Sequence, residues 1–314
     1  MNTPTVLNSS LPANTDSVRL AKGIAVGLVA ASIGALYTVF ARWGIAHGLR
    51  APDLTVLRFG VAGILMLPVL ALAWRKDSTQ FITRWRVWLL IALLAGTPFG
   101  LLMFGALQFA PPSHAAVFPF TAMSVMGMVL SAWVLNDRMT ARRLAAIAVV
   151  LLGLVLVSGV EASSFTLRAA IGDAMFLAAG TLWAGFGIVL RKHRLDPLLA
   201  TAVISFSALV TYVPGYLYFT GGSGLMSAAP EVVWIEVLIQ GVIAGAGTLY
   251  AYAKMVAMLG PSRAAVFPAL APGLAALMAW PVLHHVPATL ETIGLIIVIL
   301  GLIVAVTAPA IAKH

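Results

Sequence analysis

Cysteine is absent from the 314 residues, and only 9% of them carry a charge. The first absence excludes disulfides, thiolate zinc sites, iron–sulfur clusters and a cysteine nucleophile, and it leaves the redox compartment unmarked. The second excludes a water-soluble fold, because soluble domains carry about 25% charged residues. No P-loop, GxGxxG, HExxH or GxSxG pattern occurs, which removes a self-contained ATP-driven pump and the common membrane hydrolases. The ten acidic residues stand singly, so neither an enzyme nor a resident cofactor is indicated. Adjacent His284 and His285 point about 100° apart on a helix and make a poor metal pair.

What the chain has is apolar bulk. It is 61% hydrophobic with a mean hydropathy of +1.02. At roughly 20 residues per bilayer-spanning helix, that content suffices for about nine or ten spans. Polar and Pro/Gly punctuation cuts the sequence at 20–43, 52–74, 86–109, 113–135, 142–160, 169–190, 197–219, 231–253, 262–283 and 288–309. None of these runs alternates apolar and polar residues as a barrel strand does, so the class is an all-α integral membrane protein with ten transmembrane helices. Residues 1–19 read as a disordered cytoplasmic tail and not as a secretory signal, since the apolar run starts late, at Leu20, and exceeds signal length.

The net charge of +9 would suggest nucleic acid in a soluble protein. Here it resolves into loops. Arg19, Lys22, Arg75, Lys76, Arg84, Arg86, Arg138, Arg142, Arg143, Arg191, Lys192, Arg194, Lys254, Arg263 and Lys313 fall on one side of the alternation, and only Arg42, Arg50 and Arg168 on the other. This positive-inside bias places both termini in the cytoplasm, implies no nucleic-acid partner, and points to a multi-pass protein of the cell (inner) membrane.

A repeat organises the rest. Residues 112–119 read PSHAAVFP and 261–268 read PSRAAVFP, an offset of 149 that also aligns Gly23 with Gly172, Leu28 with Leu177, Arg42 with Arg191 and Thr140 with Thr289. The chain is therefore read as repeats 20–160 and 169–309, joined by a periplasmic linker 161–168 and followed by a cytoplasmic tail 310–314. Five spans per copy is an odd number, so the second copy enters the membrane upside down. Two inverted five-helix repeats are characteristic of secondary transporters, whose halves rock about a central site.

Together these features resemble the drug/metabolite transporter superfamily, in its EamA-type ten-helix branch. They are ten spans in two halves, PxxAAVFP before each fourth helix, basic residues closing helices 1 and 6 (Arg42; Arg191-Lys192), and Thr140 and Thr289 opening each fifth helix. The resemblance covers residues 20–309 and implies an exporter or permease of small metabolites, amino acids among them. It also implies that helices 1 and 6 help line the cavity. One departure is that Asn136-Asp137-Arg138 supplies an acidic residue near the fifth helix in the first half, where the second has His284-His285.

Candidate substrate-binding residues follow from cost and position. Pro119 and Pro268, with Phe118 and Phe267 before them, interrupt corresponding helices and free the carbonyls of Ala115 and Ala264. Charge inside a span is expensive, about 2.5–3.5 kcal/mol at the centre, which singles out Arg58 and Glu236. Gln240 lies one turn beyond Glu236 on the same face. Tyr37, Trp183 and Phe186 fall near mid-membrane and can stack on a substrate. Asp173 and Glu291 suit the positive ends of helix dipoles, and Trp43, Trp85, Trp88 and Trp280 suit the membrane interface. The expected function is secondary transport, as an exporter of a small-molecule substrate across the lipid bilayer by alternating access, with helices 3, 4, 8 and 9 around the site. A lipid-flipping or accessory subunit is the alternative. Proton coupling through Glu236 and both the monomer and the homodimer stay open.

Overall fold

The computed structural model describes residues 13–307 apart from 138, 160, 284, 285 and 287. Within it, ten helices are long and apolar enough to cross a membrane: α1 (Ser17–Ala46), α2 (Ala51–Lys76), α3 (Trp85–Gln108), α4 (Ser113–Leu135), α5 (Ala141–Ser158), α6 (Leu167–His193), α7 (Pro197–Thr220), α8 (Pro230–Leu259), α9 (Pro261–Val282) and α10 (Thr289–Thr307). The described residues contain no strand. Helix starts use local chemistry: Thr140, Thr166 and Asp196 accept from the backbone N–H three residues on, at 2.8–3.2 Å, which satisfies otherwise orphaned first-turn amides.

Two expectations shift at the ends. Residues 13–19, read as part of a disordered tail, belong to the first helix, which begins at Ala13; residues 1–12, the 310–314 tail and the His284-His285 pair lie outside the described residues. Trp88, expected at the interface, is buried, and its indole N–H donates to the Gln80 carbonyl at 3.1 Å. The short helix Thr79–Thr83 supplies that carbonyl from the preceding turn.

The main packing crosses from one half to the other. α5 packs on α10, α2 on α7, α4 on α6, α1 on α9, α3 on α6, α1 on α8, α2 on α8 and α3 on α7. Exchanging each helix with the one five places on returns the same set of pairs, so the two five-helix units interlock as equivalents. Small residues make this possible. A Cβ on Gly294 of α10 would lie 2.6 Å from Val157 N and 2.8 Å from the Gly153 carbonyl of α5. A Cβ on Gly180 of α6 would lie 2.3 Å from the Pro119 carbonyl of α4. Large apolar side chains such as Leu72, Leu152 and Ile299 point outward, where lipid is their solvent.

The arginine-poor end of the bundle carries a polar staple. His114, fully buried near the start of α4, bonds through Nδ1 to Asp173 of α6 and through Nε2 to Ser164 in the linker, both at 2.7 Å. Ser164 also donates to the Glu161 carbonyl, and Phe118 and Phe165 flank the imidazole. Asp173 therefore has a specific partner beyond any dipole effect. Truncating either side leaves the other buried without its charge-assisted bond, worth about 1.5–3 kcal/mol. His114→Ala and Asp173→Ala are each expected to lower the melting temperature of the detergent-extracted protein, with the double variant showing less than the sum of the two losses.

Candidate functional site

Three pairs of positions at the 149-residue offset define the centre of the bundle. α3 breaks at Gly96 (φ −95°, ψ −136°) before Pro98, and α8 widens into π-helix over Val237–Ala246, so Gly96 and its counterpart Gly245 both sit at an irregularity. Such breaks at corresponding places of two halves mark transport sites. Phe99 in α3 and its counterpart Thr248 in α8 then face one cavity, as do Gly34 in α1 and its counterpart Trp183 in α6. The PxxAAVFP pair behaves differently. Pro119 lies inside a continuous helix, Pro112–Leu135, whereas Pro268 begins a 3₁₀ stretch, Phe267–Leu270, between two helical pieces. The second copy carries Pro272 four residues on, so both Ala264 and Pro268 carbonyls lose their helical donors and the α-helix cannot continue.

The cavity is tight, about 50 Å³, below the roughly 300–1,000 Å³ of open small-molecule sites. α1, α2, α3, α4, α6, α8 and α9 all contribute to its wall, a wider set than the four helices expected. Its aromatic side is continuous: Trp183 lies 4.9 Å from Phe99 and 4.9 Å from Tyr252, centroid to centroid. Its polar side is Arg58. The glycines at 241 and 245 let α2 approach α8 closely, since Cβ atoms there would meet Val61 and the Arg58 carbonyl at 2.5 Å. This approach buries Arg58 to 5% exposure and turns its guanidinium over the Tyr37 ring at 4.3 Å.

A cation–π contact of this kind contributes about 0.5–2 kcal/mol, short of the cost of holding a guanidinium inside a membrane span. No carboxylate among the described residues pairs with Arg58, and its Nη1 has no hydrogen-bond partner. Two further buried polar atoms on the cavity wall share that condition: Trp183 Nε1 and Thr248 Oγ1. Buried polar atoms are ordinarily bonded, and the Arg58 and Trp183 atoms can only donate.

Of the residues singled out from the sequence, Tyr37, Arg58, Trp183 and Pro268 line this cavity. The others lie elsewhere. Phe118 packs beside His114, Pro119 contributes its carbonyl to the α4–α6 contact, and Phe267 is buried against Gly27 of α1. Phe186 forms a second layer behind the wall, stacked on Tyr252 at 5.9 Å. Glu236 packs against Gly44, and Gln240 donates from Nε2 to the Tyr37 carbonyl at 2.9 Å. Phe99, Phe120, Met123, Thr248, Tyr252 and Met255 also line it and escaped the sequence reading; the 149-residue offset that pairs Phe99 with Thr248 was the signal that could have found two of them.

The sequence model of the EamA-like transporter family matches residues 21–159 and again 170–307. The chain belongs to the EamA-like transporter family. It is thus a multi-pass membrane transporter of the drug/metabolite superfamily, built from two EamA repeats. No curated protein matches it in sequence. A solved crystal structure resembles this EamA-like transporter with a TM-score of 0.71 at 18% identity, covering 91% of this chain and 96% of the other, a likeness of fold alone.

In this EamA-like transporter the two prolines are expected to part company. Pro268→Ala restores an amide donor to the Ala264 carbonyl and favours a continuous α9, so it should slow turnover several-fold at unchanged expression. Pro119→Ala, in a helix already continuous, should leave turnover near wild type. Initial rates of flux in proteoliposomes compare the two.

Proposed function

We propose that this EamA-like transporter carries small amphipathic carboxylates, of which amino acids are the simplest, and exports them across the cell membrane by alternating access of its two halves. One observation carries the reading: three buried polar atoms without partners, Arg58 Nη1, Trp183 Nε1 and Thr248 Oγ1, occur on the wall of a single aromatic cavity. A carboxylate supplies the acceptors this set lacks, and its pairing with a guanidinium is bidentate and charge-assisted. The apolar part of the same molecule finds Trp183, Phe99 and Tyr252. The interlocking of equivalent helices gives the two halves a way to exchange conformations about this cavity. The positive-inside distribution of Lys and Arg supports cytoplasmic termini and, with them, a cavity that loads from the cytoplasm in one of its two states.

The test is counterflow in proteoliposomes of the purified chain, screened with pooled radiolabelled amino acids and then with their decarboxylated amines. Saturable exchange of the acids but not the amines is the expected result. Exchange of amines alone would overturn the carboxylate reading. Absence of all exchange by demonstrably folded protein would overturn transport of this class of metabolite.

A further inference from the structure

A second group of unpartnered atoms lies beside the cavity, and its chemistry is the opposite of the first. Glu236 and Gln240 are both 0% exposed in α8; the Glu236 carboxyl is approached by the Gln240 amide and the Gly44 backbone, and both of its oxygens and Gln240 Oε1 are short of well-formed hydrogen bonds. The cavity wall shows orphaned donors; the three oxygens here are acceptors as long as the carboxyl is ionised. The residues are one helical turn apart in sequence, at the point where the regular helix Pro230–Glu236 passes into the π-helical stretch.

We propose that Glu236 is the binding site of a coupling proton, held between Glu236 and Gln240 and read by the substrate cavity through Tyr37. Protonation gives the carboxyl group a donor of its own for Gln240 Oε1 and removes a buried charge. The carboxyl is crowded where it meets α1. A single methyl carbon on Gly44 of α1 would already lie 2.6 Å from Glu236 Oε1, so on that side the carboxyl has no room for a metal ion or a substrate ammonium. The connection to the cavity is direct. Gln240 Nε2 donates to the Tyr37 carbonyl, and the Tyr37 ring lies under the Arg58 guanidinium. A change in what Gln240 Oε1 accepts therefore acts on Tyr37, the residue that seats Arg58, the cation offered to the substrate's carboxylate.

Among the described residues, the titratable groups on the elements packed around Glu236 are engaged elsewhere or exposed. On α1, Tyr37 turns its ring to Arg58, Arg42 is exposed, and exposed His47 bonds to the Trp43 carbonyl. On α2, Arg58 faces Tyr37, and Asp53 accepts from Tyr216 of α7 at 2.6 Å. Tyr212 of α7 donates to the Pro52 carbonyl. On α8 itself, Glu231 is exposed in the first turn. None of these forms an ion pair or hydrogen bond with Glu236 among the described residues.

The proposal rests on the transport reading above, and its test separates the two. The full chain and Glu236→Gln are reconstituted, and pooled radiolabelled amino acids are followed in counterflow without a gradient and in accumulation driven by an imposed pH gradient. Glutamine keeps the shape and the donor of a protonated glutamate, so the variant is expected to retain counterflow while accumulation falls to its no-gradient level. Gradient-driven accumulation that survives in Glu236→Gln, or a wild type indifferent to the gradient, overturns the proton site and leaves transport standing. Infrared difference spectra between acidic and alkaline buffer read the site without any substrate. A protonated-carboxyl C=O band present in wild type and missing in Glu236→Gln supports the site even if counterflow fails; a band unchanged by the substitution overturns it.

Discussion

Arg58→Ala is expected to abolish measurable exchange while the protein still inserts and extracts as a monodisperse species. The guanidinium is the charged group on the cavity wall, and it lacks an acidic partner among the described residues. Its removal therefore leaves no buried carboxylate exposed to the low dielectric, and stability should hold or rise slightly as an expensive intramembrane charge disappears. Binding is another matter. Truncating one side of a buried, hydrogen-bonded charge pair costs about 2–5 kcal/mol, and at 1.4 kcal/mol per factor of ten the apparent affinity for a carboxylate should fall by roughly 30-fold to several thousand-fold. Arg58→Lys keeps the charge but loses the planar fork that matches a carboxylate, so it should bind more weakly than wild type and better than alanine. Equilibrium binding of the labelled acids, measured beside counterflow, checks the order. Equal affinities for wild type and Arg58→Ala would remove Arg58 from recognition.

The second large effect is structural. Gly180→Val should prevent α4 and α6 from closing, because the added Cβ would meet the Pro119 carbonyl at 2.3 Å, Ala122 Cβ at 2.6 Å and Met123 N at 3.1 Å. Two of those atoms belong to backbone and cannot rotate away. Overpacking of side chains costs about 1–3 kcal/mol and more where backbone must shift. Since Trp183 stands one turn from Gly180, and both Trp183 and Met123 line the cavity, the shift also displaces parts of its wall. Monodisperse yield and melting temperature should both drop sharply, with residual folded protein showing weakened exchange. Gly215→Ala in α7, where a Cβ would meet nothing within 4 Å, is the matched control and should be indistinguishable from wild type. Two equal melting temperatures would show that α4 and α6 can move apart freely.

Much of the candidate site could be approached from sequence through cost. Arg58 stood out because a charge inside a span is expensive, and Trp183 and Tyr37 because aromatics at mid-membrane have few uses besides packing and stacking. The proline pair illustrates where that reasoning stops. A proline guarantees one missing hydrogen bond, but Pro119 stays in an unbroken helix clamped against Gly180, whereas Pro268, followed by Pro272, gives way to 3₁₀ geometry. The paired irregularities that do occur, at Gly96 and across the π-helical stretch of α8, carry weak local signals because glycine is common in membrane helices for packing alone.

Hydropathy, the 149-residue repeat and the odd number of spans per copy determined the class, the ten helices and the pseudo-symmetric plan. These are properties of single helices and of their order, and lipid enforces them residue by residue. Which faces meet was left to the tertiary structure, because side chains distant in sequence must come together before their partners are defined. Only packing could show that the Glu236 carboxyl and Gln240 Oε1 lie buried against α1, outside the cavity. Only packing could show that Arg58, pinned by the approach of α2 to two glycines of α8, meets Trp183 and Thr248 as a set of polar atoms awaiting a ligand.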